Sequence, residues 1–317
     1  MSQQHAPNAS VRSWLALFAC NLMWALQFTC IKLTEAQVGP LATVWIPTTL
    51  STLMLWPIVH AEQKSARLNT TTPRQQLPRR QFIRLYLLLV LLGVVPGQLL
   101  MTIGTRYSLA SNAALITLAL PVATALFAVL FLKERMNGTR WMSFSLALAG
   151  VLLTSAGTLY EVHFNSSQLL GNLLVFLAIL GSGFYNSYGK KALEHHSPIE
   201  MLFWTYLCLV VCMAPFVFAM EPETFVRFGH FTRPTWTGLA LLTFFHTFLA
   251  MVLFLKALKH LDAIQTALSN YLIPLFGIPI ATIWLGEKLT PASIAGGMLI
   301  LVSTVLMALL DNARKSA

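Results

Sequence analysis

The sequence predicts an all-α integral membrane protein whose ten transmembrane helices form two inverted five-helix repeats (5+5). Three observations predict it. The 317-residue chain is 56% hydrophobic and only 10% charged, where a soluble domain carries roughly 25% charged residues. Apolar runs of about 20 residues recur along its whole length, as ~30 Å of hydrocarbon requires at ~1.5 Å of rise per residue. Finally, one pattern occurs twice, in LPVATALFAVLFLKERMNG (120–138) and IPLFGIPIATIWLGEKLTP (273–291). Each copy has a proline followed thirteen residues later by a glutamate, Pro121/Glu134 and Pro274/Glu287, at a constant offset of 153.

In chain order the expected spans are about 13–33, 41–60, 83–104, 110–132, 139–159, 169–189, 199–219, 236–257, 263–285 and 291–311. The first is too long for a signal peptide and has no clear small-x-small cleavage site, so it reads as a helix. The second gives way to a polar connection, 61–82, with Pro73 and Pro78. Gly93 and Gly97 in the third span suit close helix packing. The fourth holds Pro121, about eleven residues in, and the fifth follows Asn137, a good N-cap. Asn165-Ser166-Ser167, ahead of the sixth, is a glycosylation triplet that arises readily by chance. Cys20, Cys30, Cys208 and Cys212 all fall in spans, with no second pair or histidine to complete a metal site. The eighth span, after a connection at 220–235, carries His246. The ninth carries Pro274, and the tenth opens on Thr290-Pro291, an N-cap followed by proline at the first helical position.

Lys and Arg set the orientation. With a cytoplasmic N-terminus, sixteen fall on the inner side and five outside (Lys32, Arg106, Arg227, Arg233 and Lys288). Both termini are then inside. The net charge of +10 follows from topology and requires no nucleic-acid partner.

The duplication extends over 110–134 against 263–287, with Ala110/Ala263, Ala114/Ala267, Leu115/Leu268, Ala128/Ala281 and Leu132/Leu285 identical. Lys32 and Lys190 match more faintly, at an offset of 158. The halves are 11–160 and 169–311. Five is odd, so the second half enters the membrane from the opposite face, and inverted halves give related conformations open to opposite sides.

These features, with the WALQF…K first helix and the GEKLTPASIAGG run (286–297), resemble the drug/metabolite transporter superfamily, specifically its EamA-like branch. Ser143 and Phe144 depart from the family pattern, standing where a glycine is usual. The resemblance implies a secondary carrier of small organic metabolites, with a central cavity walled by both halves. It also implies export of amino acids or related solutes across the inner membrane.

Several residues could carry that chemistry. Pro121 and Pro274 each deprive a carbonyl four residues back of its donor, at Thr117 and Asn270. In hydrocarbon such a group finds a partner or lines a cavity, so the prolines mark either polar notches with hinges or tolerated kinks. Trp24, Gln27, Asn112, Tyr185, Asn186 and Tyr271 could face a solute or pack between helices. Glu134 and Glu287, at helix ends before the next helix, read as structural acceptors of exposed N–H groups. Lys32 and Lys190 are expected to snorkel. His246 is an ionisable residue in mid-span, either a proton carrier or an interhelical bridge. The expected partners are a metabolite, membrane lipid and, as one option, a second copy of the chain. No cofactor, metal or catalytic motif such as GxxxxGK[ST], HExxH or GxSxG is expected. A membrane-embedded enzyme acting on lipid-linked substrates and a passive channel stay open as alternatives.

Overall fold

The computed structural model describes residues 7–69, 77–132, 138–156, 166–261, 266 and 269–315. Glu134 and Asn137 lie outside the described residues. Among those described the long elements are helices and no strand occurs. They are α1 (Pro7–Thr34), α2 (Pro40–Asn69), α3 (Arg79–Tyr107), α4 (Ala110–Ile116, Thr117–Ala119 and Leu120–Leu132 in succession) and α5 (Gly138–Ala156). Then come α6 (Ser166–His195), α7 (Pro198–Met220), α8 (Arg233–His260), α9 (Ser269–Leu285) and α10 (Pro291–Lys315).

Seven of these are long and apolar enough to cross a membrane, among the described residues: α1, α2, α3, α4, α6, α7 and α8. Apolar segments in α9 (Ser269–Leu285) and α10 (Pro291–Ser303) are shorter. The chain is a multi-pass membrane protein. The expected connection at 61–82 begins late, because α2 continues through Asn69. Glu62, Gln63 and Lys64 are strong helix formers and extend it past the apolar run. The expected connection at 220–235 likewise holds a short helix, Pro222–Val226.

Local chemistry sets the ends. Pro40, Pro198 and Pro291 stand at first helical positions, where a missing N–H costs nothing. Ser197 caps α7 in a reciprocal box with Glu200. Gly286 ends α9 at φ 68°, a left-handed conformation that glycine adopts without strain.

Packing follows a regular rule. α1 lies on α8 and α9; α6 lies on α3 and α4; α2 pairs with α7 and α5 with α10. The packing of α1 on α8 and α9 thus has its counterpart, five helices along, in that of α6 on α3 and α4. Two apolar clusters result, one centred on Leu55, Leu209 and Leu255, the other on Ala114, Ile116 and Ile179.

Polar ties fasten the helix ends. Glu221, just past α7, accepts from the N–H groups of Leu41 and Ala42 at 2.9 and 2.8 Å, capping α2. Gly39 permits this, since a Cβ there would stand 2.1 Å from the Glu221 carboxyl carbon. At the other end of the same helix pair, Ser197 donates to Glu62 at 2.8 Å. Lys32 and Lys190 tie helix ends together as well. Each donates to a carbonyl at the end of another helix, Arg106 O at 2.8 Å and Leu261 O at 2.7 Å. Carbonyls at a helix C-terminus lack intrahelical donors, and a nearby cation meets a favourable dipole there.

Candidate functional site

Between the two apolar clusters lies a cavity of about 110 Å³, walled by α1, α2, α3, α4, α6, α7, α8 and α9. Holding one water takes ~10–15 Å³ by the same measure, so there is room for a small solute.

The walls are built where helices depart from α geometry. α3 is π-helical over Leu89–Val94 and Pro96–Leu100, and α8 over Leu242–Ala250. Such segments are rare and frequent at functional sites, because they free backbone groups and re-aim side chains. In α8 side chains serve the backbone: Tyr206 Oη donates to Thr247 O at 2.7 Å, and Ser51 Oγ to Thr243 O at 3.3 Å. The two distorted helices also meet across the cavity. Gln98 Oε1 accepts from Gln27 Nε2 at 3.3 Å and faces His246 Nε2 at 3.5 Å.

A second pair of distortions sits just before the repeated prolines, as 3₁₀ turns at Thr117–Ala119 in α4 and Ser269–Tyr271 in α9. The expected orphan carbonyl at Thr117 is not one. The tighter turn lets it accept from the N–H of Leu120 instead. Both residues line the cavity, Thr117 from one half and Asn270 from the other.

Trp24, Gln27, Thr117, Tyr185, Asn186, His246 and Asn270 line the cavity together. Asn112 and Tyr271, expected on its wall, do not. α4 presents Thr117 and Leu120 to the cavity, and Asn112, five residues before Thr117, points about 140° away at 3.6 residues per turn. Tyr271 follows Asn270 by one residue, and packs against the second apolar cluster instead. Asn21, three residues before Trp24, has its amide nitrogen engaged, donating to Leu17 O at 2.8 Å and Ser269 Oγ at 2.9 Å. Pro121 and Pro274 are buried beside the two 3₁₀ turns.

Several polar atoms at this site have no hydrogen-bond partner among the described residues: Trp24 Nε1, Asn186 Nδ2, His246 Nδ1 and both amide atoms of Asn270. Asn270 is 1% exposed, Asn186 4% and His246 5%. Buried polar groups are normally paired, so these unpartnered atoms set this part of the bundle apart from an ordinary apolar core. The aromatic side is Trp24, stacked obliquely on Phe254 with centroids 4.9 Å apart and 6.5 Å from the His246 ring. Sequence reasoning missed Gln98, the residue that joins α1 to α8. Its signal was Pro96-Gly97-Gln98, a proline, a glycine and an amide together inside an apolar run.

Glu287 does not enter the cavity. It accepts from Ala110 N at 2.8 Å, Ser111 N at 2.9 Å and Ser111 Oγ at 2.7 Å. It thus caps α4, in the other half, and not the helix that follows it. That helix is capped by Thr290, which accepts from Ser293 N at 3.0 Å.

A helical membrane bundle that contains a small cavity, lined by polar residues from both halves, has the build of a transport protein. The chain belongs to the EamA-like transporter family, whose model matches residues 12–156 and 169–309. It is 26% identical over 307 residues to the uncharacterized transporter YvbV of Bacillus subtilis, covering 96% of this chain and 94% of that one. An uncharacterized transporter of Archaeoglobus fulgidus is 20% identical, over 92% of this chain and 97% of its own. A protein of Streptantibioticus cattleyicolor described as a probable terminal-alkyne amino-acid exporter is 23% identical, over 73% and 74% of the two chains. A solved structure titled "Crystal structure of protein" superposes with a TM-score of 0.62 at 13% identity, covering 95% of this chain and 98% of that one. It shares the fold.

Proposed function

We propose that this protein is a secondary transporter that moves small organic metabolites, amino acids or close relatives, by alternating access, and that it works as an exporter in the inner membrane. Its ten spans form two inverted halves, 11–160 and 169–311, with both termini in the cytoplasm. One observation carries the reading. The cavity is lined by matched elements, a π-helical segment in α3 and in α8 and a 3₁₀ turn before a proline in α4 and in α9. Elements matched in this way suit a cavity that opens first to one side and then to the other.

In this mechanism Trp24 and Tyr185 hold the apolar part of the solute, and Gln27, Thr117, Asn186 and Asn270 its polar groups. Pro121 and Pro274 are hinges, His246 couples transport to protons, and Glu287 and Glu134 brace helix ends. The amino-acid class draws support from the exporter named above.

The test is counterflow. Proteoliposomes preloaded with an unlabelled amino acid, selected by thermal-shift screening, are diluted into a trace of the labelled compound. A carrier gives a transient overshoot of label inside. Simple equilibration without overshoot would identify a channel, and chemical conversion of the solute an enzyme.

A further inference from the structure

A second depression, of about 490 Å³, lies on the outer surface of the bundle between α2 and α8, away from the central cavity. Ile46, Leu50, Leu53 and Met54 form one wall, at i, i+4, i+7 and i+8 of α2. Trp236, Leu239, Ala240, Thr243 and Phe244 form the other, with Phe228 at the rim. Its one hydroxyl, that of Thr243, is already satisfied, donating to Leu239 O at 2.7 Å. The walls are open to the surroundings: Leu50 is 46% exposed, Leu53 63% and Phe244 53%.

Charge and length select the occupant. Arg233 begins α8 and stands at i−3 and i−7 from Trp236 and Ala240, on the same helix face. It is exposed, with no ion pair among the described residues. Trp236, a residue type that collects at headgroup level, meets Phe228 edge to face at 4.9 Å. From Trp236 to Phe244 the groove runs eight residues, about 12 Å at helical rise, close to the ~15 Å of one leaflet of hydrocarbon.

We infer that this groove is a binding site for one anionic phospholipid, with an acyl chain between α2 and α8 and the headgroup phosphate on Arg233. The bound chain lies against Thr243, whose carbonyl Ser51 holds from α2. The lipid thus braces α2 against the π-helical segment that carries His246. The site does not depend on the transport reading.

The test uses the full chain purified in detergent, with phosphatidylglycerol and phosphatidylcholine of identical acyl chains. Phosphatidylglycerol should raise the melting temperature more than phosphatidylcholine does. Arg233→Gln should weaken phosphatidylglycerol binding about five-fold, the equivalent of ~1 kcal/mol for one interfacial cation, and erase the difference. Ala240→Phe, which fills the groove, should abolish stabilisation by both. Phosphatidylglycerol with a photoreactive acyl chain should cross-link wild-type protein within 46–54 or 236–244, a readout needing no variant. Equal stabilisation by the two lipids, undiminished binding to Ala240→Phe, or cross-links confined to other helices would each overturn the proposal.

Discussion

Gln98 accepts from Gln27 and faces His246, so one amide oxygen links α1, α3 and α8. Gln98→Leu should leave two buried polar side chains without that partner, at roughly 1–3 kcal/mol, and melt several degrees below wild type. Gln98→Glu keeps the acceptor and should recover most of the loss if it folds with the carboxyl protonated. His246 separates two roles that the site permits. If it carries the proton, His246→Gln abolishes accumulation driven by an imposed pH gradient but spares exchange of solute at equal pH, measured in the same vesicles. Retained accumulation would reduce His246 to a bridge between helices. Its ionisable character in mid-span was legible in the sequence. Its alignment with Gln98 was not, because π-helical geometry shifts which residues share a face and a 3.6-residue period misses it.

Each 3₁₀ turn in α4 and α9 sits two or three residues before a proline that cannot donate to the backbone. Pro121→Ala and Pro274→Ala each return that donor, favour continuous α-helix and stiffen the element. Expression should be near normal and counterflow reduced about tenfold, equivalent to ~1.4 kcal/mol between conformers. Wild-type counterflow in both variants would leave the kinks without a mechanical part. The proline pair was legible in the sequence because it recurs at a fixed offset. How the helix accommodates it was not, since a freed carbonyl can be satisfied by a tighter turn as well as by a neighbour, and at Thr117 the tighter turn prevails. The caps show the same limit. Glu287 next to a helix start suggested a local acceptor, yet its partners are 177 and 176 residues away in the chain.

At the scale of the molecule, the proposed inverted arrangement predicts that single cysteines at positions 134 and 287, in an otherwise cysteine-free chain, react with an impermeant thiol reagent from opposite sides of the membrane. Labelling of both from one side would end that arrangement. Composition and the spacing of apolar runs were enough to read the helical membrane fold. The packing of α1 on α8 and α9, and of α6 on α3 and α4, was not readable, because a lipid-facing and a helix-facing residue are equally apolar. The Glu287 cap also predicts that Glu287→Ala, losing three charge-assisted bonds, costs about 2 kcal/mol, seen as a lower melting temperature. That cap has a consequence in time. Synthesis proceeds at roughly 5–20 residues per second, so the 177 residues between Ala110 and Glu287 take about 10–35 s to make. For that interval the start of α4 lacks the carboxylate that caps it in the folded protein, and the first half is without this cap until the last part of the second emerges. Ribosomes stalled shortly before codon 287 should therefore hold a chain whose α4 is open to protease, and stalling beyond the α10 codons should close it.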